Sequence, residues 1–233
     1  MRQAVAVRAV DMLTALSTVD NAVEFRTIVL RDSAALLHAD RSSATVIRHD
    51  GTTAENIAWP RQPPVAMERV WEQRHEEHPS LAGMRRAPLV CHRLSEQLSL
   101  LELRRLPIYS TFMKPMGSRD QLTIALQSDE RRLTAVTLVR VGSTFTDNDR
   151  LLLQQLAAPI RHLYTAMRAR HSARLLTEQQ KRLLTLVADG HTDAAIARRL
   201  GVSQRTVEKH LESVRARLNA TSRPAAVAAW LGW

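Results

Sequence analysis

Residues 176–227, LTEQQKRLLTLVADGHTDAAIARRLGVSQRTVEKHLESVRARLNATSRPAAV, divide into short helices by their own punctuation. Thr177 with Gln180 forms a capping box ahead of Leu183, Leu184 and Val187, each side chain answering the other's free backbone N–H. Gly190 stands where that helix must end, because glycine enters the left-handed conformation without a Cβ penalty. Thr192 caps Asp193 to Leu200, Gly201 makes a tight turn, and Ser203 caps a helix with the apolar stripe Val207, Leu211, Val214 and Leu218. Ser222 and Pro224 open a last helix carrying Val227, Trp230 and Leu231. This order predicts a helix-turn-helix. With the stripe turned to a core, the opposite side of the second helix presents Gln204, Arg205, Glu208, Lys209, Glu212 and Arg215, groups able to reach base edges and phosphates.

The charge distribution points the same way. Residues 173–233 hold ten Lys or Arg against five acids, while residues 1–172 hold twenty-three against eighteen, so equal surpluses sit on very unequal lengths. Arg161, Arg168, Arg170 and Arg174 carry the basic character across the join, which places the boundary near residue 172. A chain of 233 residues predicts two domains, and a net charge of +10 favours a polyanionic partner, nucleic acid or an anionic membrane surface, between which charge alone does not choose. One cysteine, Cys91, excludes an internal disulfide and a Cys-rich zinc module, consistent with a reducing compartment. No apolar run approaches the ~20 residues of a membrane helix, and the start MRQAVAVRAVDM is interrupted by Asp11. A cytoplasmic protein with no membrane partner is expected.

The first region reads as mixed α and β. Helical spacing covers residues 3–16 and 21–38, and Ser43 to His49 and Glu55 to Trp59 flank the hairpin turn Asp50-Gly51. Leu122, Ile124 and Leu126 alternate with polar residues, and Leu133 to Val141 follows the polar turn Ser128 to Arg131 as a second hairpin. Helical stretches are expected around 64–78 and 95–115. Thr146 then caps a long helix with the stripe Leu152, Leu156, Ile160, Leu163 and Met167, in which Pro159 predicts a kink. Twenty-six residues at ~1.5 Å each would span ~39 Å, enough to link two domains.

Residues 176–227 resemble the four-helix DNA-binding domain of LuxR-type bacterial transcription regulators. The resemblance rests on Leu176-Thr177, Leu184, Gly190, Ile196-Ala197, Leu200, Ser203, Thr206-Val207, His210, Arg217-Leu218, Arg223 and Ala226 at family spacing without a gap. Ala195 and Gln180 depart from it where the family usually has glutamate. The resemblance implies base reading by Glu208, Lys209 and Glu212. It implies backbone contacts from Ser203, Gln204, Arg205 and Thr206, and homodimerisation through Val227, Trp230 and Leu231. Core packing is the competing reading for Val207, for His210 and for Trp230, and a solvated helix end for Arg217 and Arg223. Double-stranded DNA is the expected partner, and RNA polymerase is a further partner compatible with the resemblance.

Ahead of this domain, no early acidic cluster suggests a phosphoacceptor receiver. Trp59, Trp71, Tyr109 and Tyr164 do not reproduce the Trp, Tyr and Asp grouping of an acyl-homoserine-lactone sensor. The stretches HPSLAGMRR (78–86), LPIYSTFMKPMGSRDQLTIAL (106–126) and LTAVTLVRVGSTFTDNDRLLLQQLAAPIRHLY (133–164) resemble the GAF-like domain of many actinobacterial LuxR-type regulators. The implied fold is an α+β GAF-like domain, an antiparallel sheet with flanking helices, followed by an all-α four-helix domain. The expected division is an N-terminal helix 1–19, a sensor or dimerisation domain 20–165, a basic linker helix 166–175 and the DNA-binding domain 176–233.

A small-molecule ligand is the partner implied for the first domain. Trp59, Trp71, Met84, Cys91, Tyr109, Phe112, Met113 and Met116 are its candidate wall, weighed against plain core packing. His75-Glu76-Glu77-His78 has the wrong spacing for a zinc helix, and adjacent Cys91 and His92 point to opposite faces of a strand. No cofactor, metal or catalytic activity is expected. The alternative reading is a constitutive DNA-binding protein whose first domain is only a dimerisation or protein-interaction scaffold.

Overall fold

The computed structural model describes residues 2–48, 50–129, 132–218 and 220–231. The chain forms two compact units, one built from the residues up to Thr18 and Val23–His162, the other from Val19–Ala22 and the chain from Leu163 onward.

The first unit begins with helices α1 (Arg2–Thr18) and α2 (Ala22–Leu36), which match the two expected from their spacing. Strands β1 (Arg41–Arg48) and β2 (Thr53–Trp59) form the first hairpin. Gly51 sits in its turn at φ +82°, and the Asp50 carboxylate accepts from the Thr52 N–H at 2.9 Å. His49 lies outside the described residues, as do Glu130 and Arg131 of the second turn. Strands β3 (His92–Arg93), β4 (Asp120–Ser128) and β5 (Arg132–Arg140) complete a five-stranded antiparallel sheet in the order β2-β1-β5-β4-β3. The near-continuous apolar run Leu133 to Val139 is explained by this order, since β5 is the central strand and pairs on both edges.

The helices between the hairpins are more broken than the two expected stretches. Helix α3 (Val65–Arg74) passes through a 3₁₀ turn (His75–Glu77) into α4 (Pro79–Arg86), which starts at Pro79 with the His78 ring as its cap. Residues 95–115 hold α5 (Leu94–Gln97), α6 (Leu100–Arg105) and a single π turn (Tyr109–Met113). A capping box of Ser99 and Glu102 restarts the chain at α6 and so splits the stretch. The two-residue strand β3 had no periodic signal, being short and half-buried.

Helix α7 (Asp147–Arg174) opens as expected, with the Thr146 N–H donating to Asp149 Oδ2 at 2.8 Å and the Asp149 N–H to Thr146 Oγ1 at 3.2 Å. It runs through Pro159, and residues 166–174 are its last turns. Its buried face is Leu153, Leu156, Ala157, Ile160, Tyr164 and Met167, so the expected stripe is rotated: Leu152 and Leu163 are only half-buried. A period counted by fours drifts against 3.6 residues per turn, and Leu153 and Ala157 fall on the truer line.

Asp120 is wholly buried at the start of β4. Its Oδ1 accepts from the N–H groups of Ser95 (3.0 Å) and Gln121 (2.9 Å), and its Oδ2 accepts from the Ser95 hydroxyl (3.0 Å) and the Phe145 N–H (2.9 Å). One carboxylate thus fixes α5, β4 and the approach to α7. Asp120→Ala leaves the buried N–H groups of Gln121 and Phe145, and the part-buried one of Ser95, without this acceptor and is expected to cost about 3 kcal/mol, read as an earlier urea midpoint. An unchanged midpoint would contradict this role.

Candidate nucleic-acid interface

Helices α8 (Glu178–Ala188), α9 (Asp193–Leu200), α10 (Gln204–Arg217) and α11 (Arg223–Leu231) carry the predicted caps. Thr177 and Gln180 form a reciprocal capping box, the Thr192 hydroxyl accepts from the Ala195 N–H, and the Ser203 hydroxyl accepts from the Thr206 N–H. Gly190 and Gly201 take left-handed φ values of +81° and +66°. Val207, Leu211 and Val214 join Leu176, Leu183, Leu184, Val187, Ile196, Ala197, Ala225 and Ala226 in one core. Leu218 packs against that core half-buried, and His210 is half-buried at the edge of the stripe.

The opposite side of α10 is open. Ser203, Gln204, Arg205, Glu208, Lys209 and Glu212 are exposed, and Thr206 is half-buried with its hydroxyl 2.8 Å from that of Ser203. Several basic side chains around the motif are already engaged: Arg174 pairs with Asp20, Lys181 with Glu178 and Arg223 with Asp193. Among the described residues, Arg182, Arg198, Arg199, Arg205, Lys209 and Arg215 have no carboxylate within 4 Å, so their charge is available to phosphates. Arg198 and Arg199, exposed at the end of α9, had not been singled out from the sequence.

Arg217, exposed at the end of α10, and half-buried Arg223 are both engaged. Arg217 Nη1 donates to the Leu175 carbonyl at 3.1 Å and to Gln180 Oε1 at 3.3 Å, and Arg223 bridges Asp193 and the His191 carbonyl. Buried Gln180 also donates from Nε2 to Ser213 Oγ at 3.2 Å, so this capping residue ties α8 to α10. In α11, Val227 and Trp230 pack against the domain's own core, leaving Leu231 exposed. Between α8 and α11 lies a shallow groove lined by Val187, Ala188, Arg223, Pro224, Val227, Ala228 and Leu231.

The first unit contains a cavity of about 100 Å³ against the sheet. Trp59, Trp71, Met84, Phe112 and Met116 line it, as expected of a wall. Cys91, Tyr109 and Met113 do not. Met113 is buried with Leu94, Leu103 and Ile108, and Tyr109 packs on that cluster. Cys91 is buried with its N–H on Gln154 Oε1, and burial pushes its thiol up to about 12, leaving it protonated and unreactive. His92 Nε2 is engaged with the Ala87 carbonyl at 3.0 Å. His75 Nε2 contacts the Gly51 carbonyl at 2.7 Å, and His78 Nδ1 accepts from the Ser80 N–H at 3.3 Å.

Among the cavity residues that sequence reading missed are the polar Arg41, Ser80 and Gln121, with His78 beside them. Burial drives the His78 imidazole down from the ordinary 6.5 to about 4, partly offset by the neighbouring Gln121 carboxamide, so it is neutral at pH 7.

Residues 174–229 match the family model of bacterial regulatory proteins, luxR family. No curated protein sequence matches this chain. Among solved structures, Escherichia coli SdiA is similar with a TM-score of 0.59 and 20% identity, over 96% of this chain and 96% of that one. CepR2 from Burkholderia cenocepacia, described as an N-acylhomoserine lactone dependent LuxR family transcription factor, gives 0.54 and 15% over 71% of this chain and 95% of its own. The Stigmatella aurantiaca phytochrome photosensory core module gives 0.52 and 16%, over 93% of this chain and 45% of its own. Identities this low establish likeness of fold. The C-terminal domain is therefore a LuxR-type helix-turn-helix domain, and the domain before it has the expected α+β architecture, an antiparallel sheet with flanking helices.

Arg217→Ala is expected to lower the urea midpoint of the C-terminal domain by the equivalent of about 1–2 kcal/mol, because the Leu175 carbonyl and Gln180 lose a charged donor. In the first domain, the unfolded chain binds a proton at position 78 below pH 6.5 whereas the folded chain resists until about 4. Stability should therefore fall as pH drops from 6.5 toward 4, by up to about 3 kcal/mol, and His78→Gln should flatten that part of the profile. Equal slopes in urea titrations of parent and variant would refute it.

Proposed function

We propose that this protein is a cytoplasmic, homodimeric, sequence-specific transcription regulator whose N-terminal domain holds a small molecule that controls it. The observation that carries the DNA-binding half is the exposed face of α10, set within a domain whose family binds DNA. Glu208, Lys209 and Glu212 read bases, while Ser203, Gln204, Arg205 and Thr206 fix the helix on the phosphate backbone. Lys209 donates to guanine, and the two acids accept from the cytosine amino group while repelling phosphates. Leu231, with Val227 and Trp230 behind it, supplies the pairing surface of α11, and two such domains meet half-sites ~10 bp apart. The domain division proposed is a sensor over 20–165, a linker over 166–175 and a DNA-binding domain over 176–233.

The sensing half is supported by the cavity. One observation favours the rival scaffold reading: at about 100 Å³ the cavity is smaller than most ligand sites, which run to ~300 Å³ or more. A ligand that changes DNA affinity decides for sensing.

Binding should weaken steeply as salt rises, because phosphate contacts release counterions. Arg205→Ala is expected to weaken binding to all sequences together, whereas Glu208→Ala broadens the selected sequences and leaves affinity for random DNA unchanged or higher. Selection from a randomised duplex library at one fixed salt concentration tests both. If Glu208→Ala and Glu212→Ala each return the parent's preference, the reading face lies elsewhere.

A further inference from the structure

We propose, resting on the reading of the N-terminal domain as a sensor, that its cavity binds a small aromatic monocarboxylate, the carboxylate on Arg41 and the ring among Trp59, Trp71 and Phe112. The charge of the lining is the first reason. Arg41 and Arg61 both contribute to it, and no Asp or Glu does. Arg61 is exposed, but Arg41 is half-buried on β1 and donates from Nη2 to the Met116 carbonyl. Burial lowers its pKa, a penalty only partly countered by Asp40. The Asp40 carboxylate itself accepts from the Val141 N–H at 2.8 Å, and among the described residues no carboxylate lies within 4 Å of the Arg41 guanidinium. A cation drawn out of water without an ion pair is stabilised by an anion that reaches it, and a planar guanidinium fork matches a carboxylate. One guanidinium balances one negative charge; a phosphate group would bring nearly two.

The second reason is a pair of unanswered polar groups. The Ser80 hydroxyl and the Trp71 Nε1–H are buried and have no hydrogen-bond partner, Ser80 being only 1% exposed, and both residues line this cavity. Native interiors rarely leave such groups unmet. A hydroxyl or carbonyl on the ligand ring would accept from the indole and bond the serine.

Size and shape supply the third reason. At about 100 Å³, against ~150 Å³ for an apolar cavity that holds one benzene ring, the space admits no more than a single ring and is too small for a long acyl chain. Trp71 and Phe112 stand 5.3 Å apart between centroids, tilted by 46°, and give that ring an aromatic wall.

The test uses the full chain and four acids, benzoate, 4-hydroxybenzoate, phenylacetate and 4-hydroxyphenylacetate, each beside its carboxamide. Binding is read by calorimetry and by the fluorescence of Trp59 and Trp71. At least one acid should bind, at least about tenfold more tightly than its amide. Arg41→Gln should abolish that preference by weakening the acid alone, and Trp71→Phe should weaken ring-hydroxylated acids more than unsubstituted ones. The proposal is overturned if amides bind as tightly as acids, if folded Arg41→Gln keeps the preference, or if no acid binds at millimolar concentration. Should Arg41→Gln fail to fold, the acid and amide comparison on the parent chain decides. DNA retardation on the same samples separates the two readings. A chain that binds DNA but no acid fails only on the ligand, and an acid that binds without altering DNA affinity fails only as a regulatory signal.

Discussion

The carboxylate of Asp120 holds the N-terminal domain together at the point where three pieces of chain meet. Ser95 at the first turn of α5, Gln121 on β4 and Phe145 ahead of α7 all donate to it, and none of these is near another in sequence. A charge at zero exposure is tolerable only when donors surround it, and four do. The consequence extends to its neighbours. Arg140, which lies over the Phe145 ring at 4.4 Å, also pairs with Asp149 in the capping box of α7, so the helix start is held from two sides. Ser118 and Gln121, bonded to each other at 2.9 Å, flank Asp120 and form part of the cavity wall. Fixing Asp120 therefore fixes one side of the cavity.

The C-terminal domain was legible in the sequence because the forces that shape it act over three or four residues. Thr177, Thr192 and Ser203 each cap a backbone N–H three positions on, and Gly201 ends α9 by its own conformational freedom. The helical period then assigns Val207, Leu211 and Val214 inward and Glu208, Lys209 and Glu212 outward. Arg217 and Arg223 escaped this reading because their partners lie far along the chain, at Leu175 and Asp193. Nothing local distinguishes an arginine that ties two helices from one in solvent.

In the first domain the same limit shows more strongly. The hairpin turn at Asp50-Gly51 is a local device and could be read, whereas the pairing of β1 with β5 across some ninety residues could not, and β3 exists only because β4 offers it an edge. The cavity is the extreme case. Its aromatic wall residues Trp59, Trp71 and Phe112 are conspicuous by type, but Arg41, Ser80 and Gln121 come from β1, α4 and β4 and meet only in the folded sheet and its covering helix. Cys91, Tyr109 and Met113 share the composition expected of a wall, and the fold spends them on packing instead.

The small C-terminal domain shows how a short chain keeps its charged face free. A segment of roughly sixty residues buries too little apolar surface for a wide margin of stability, so polar ties contribute in proportion. Gln180, Arg217 and the Arg223–Asp193 pair link the helices without drawing on Arg205 or Lys209. Had Arg205 or Lys209 been drawn into such ties, each would lose its freedom to meet a polyanion. Assigning the ties to other arginines lets the domain hold its helices together without neutralising the basic charge on the exposed face of α10, among which the carboxylates of Glu208 and Glu212 are interspersed.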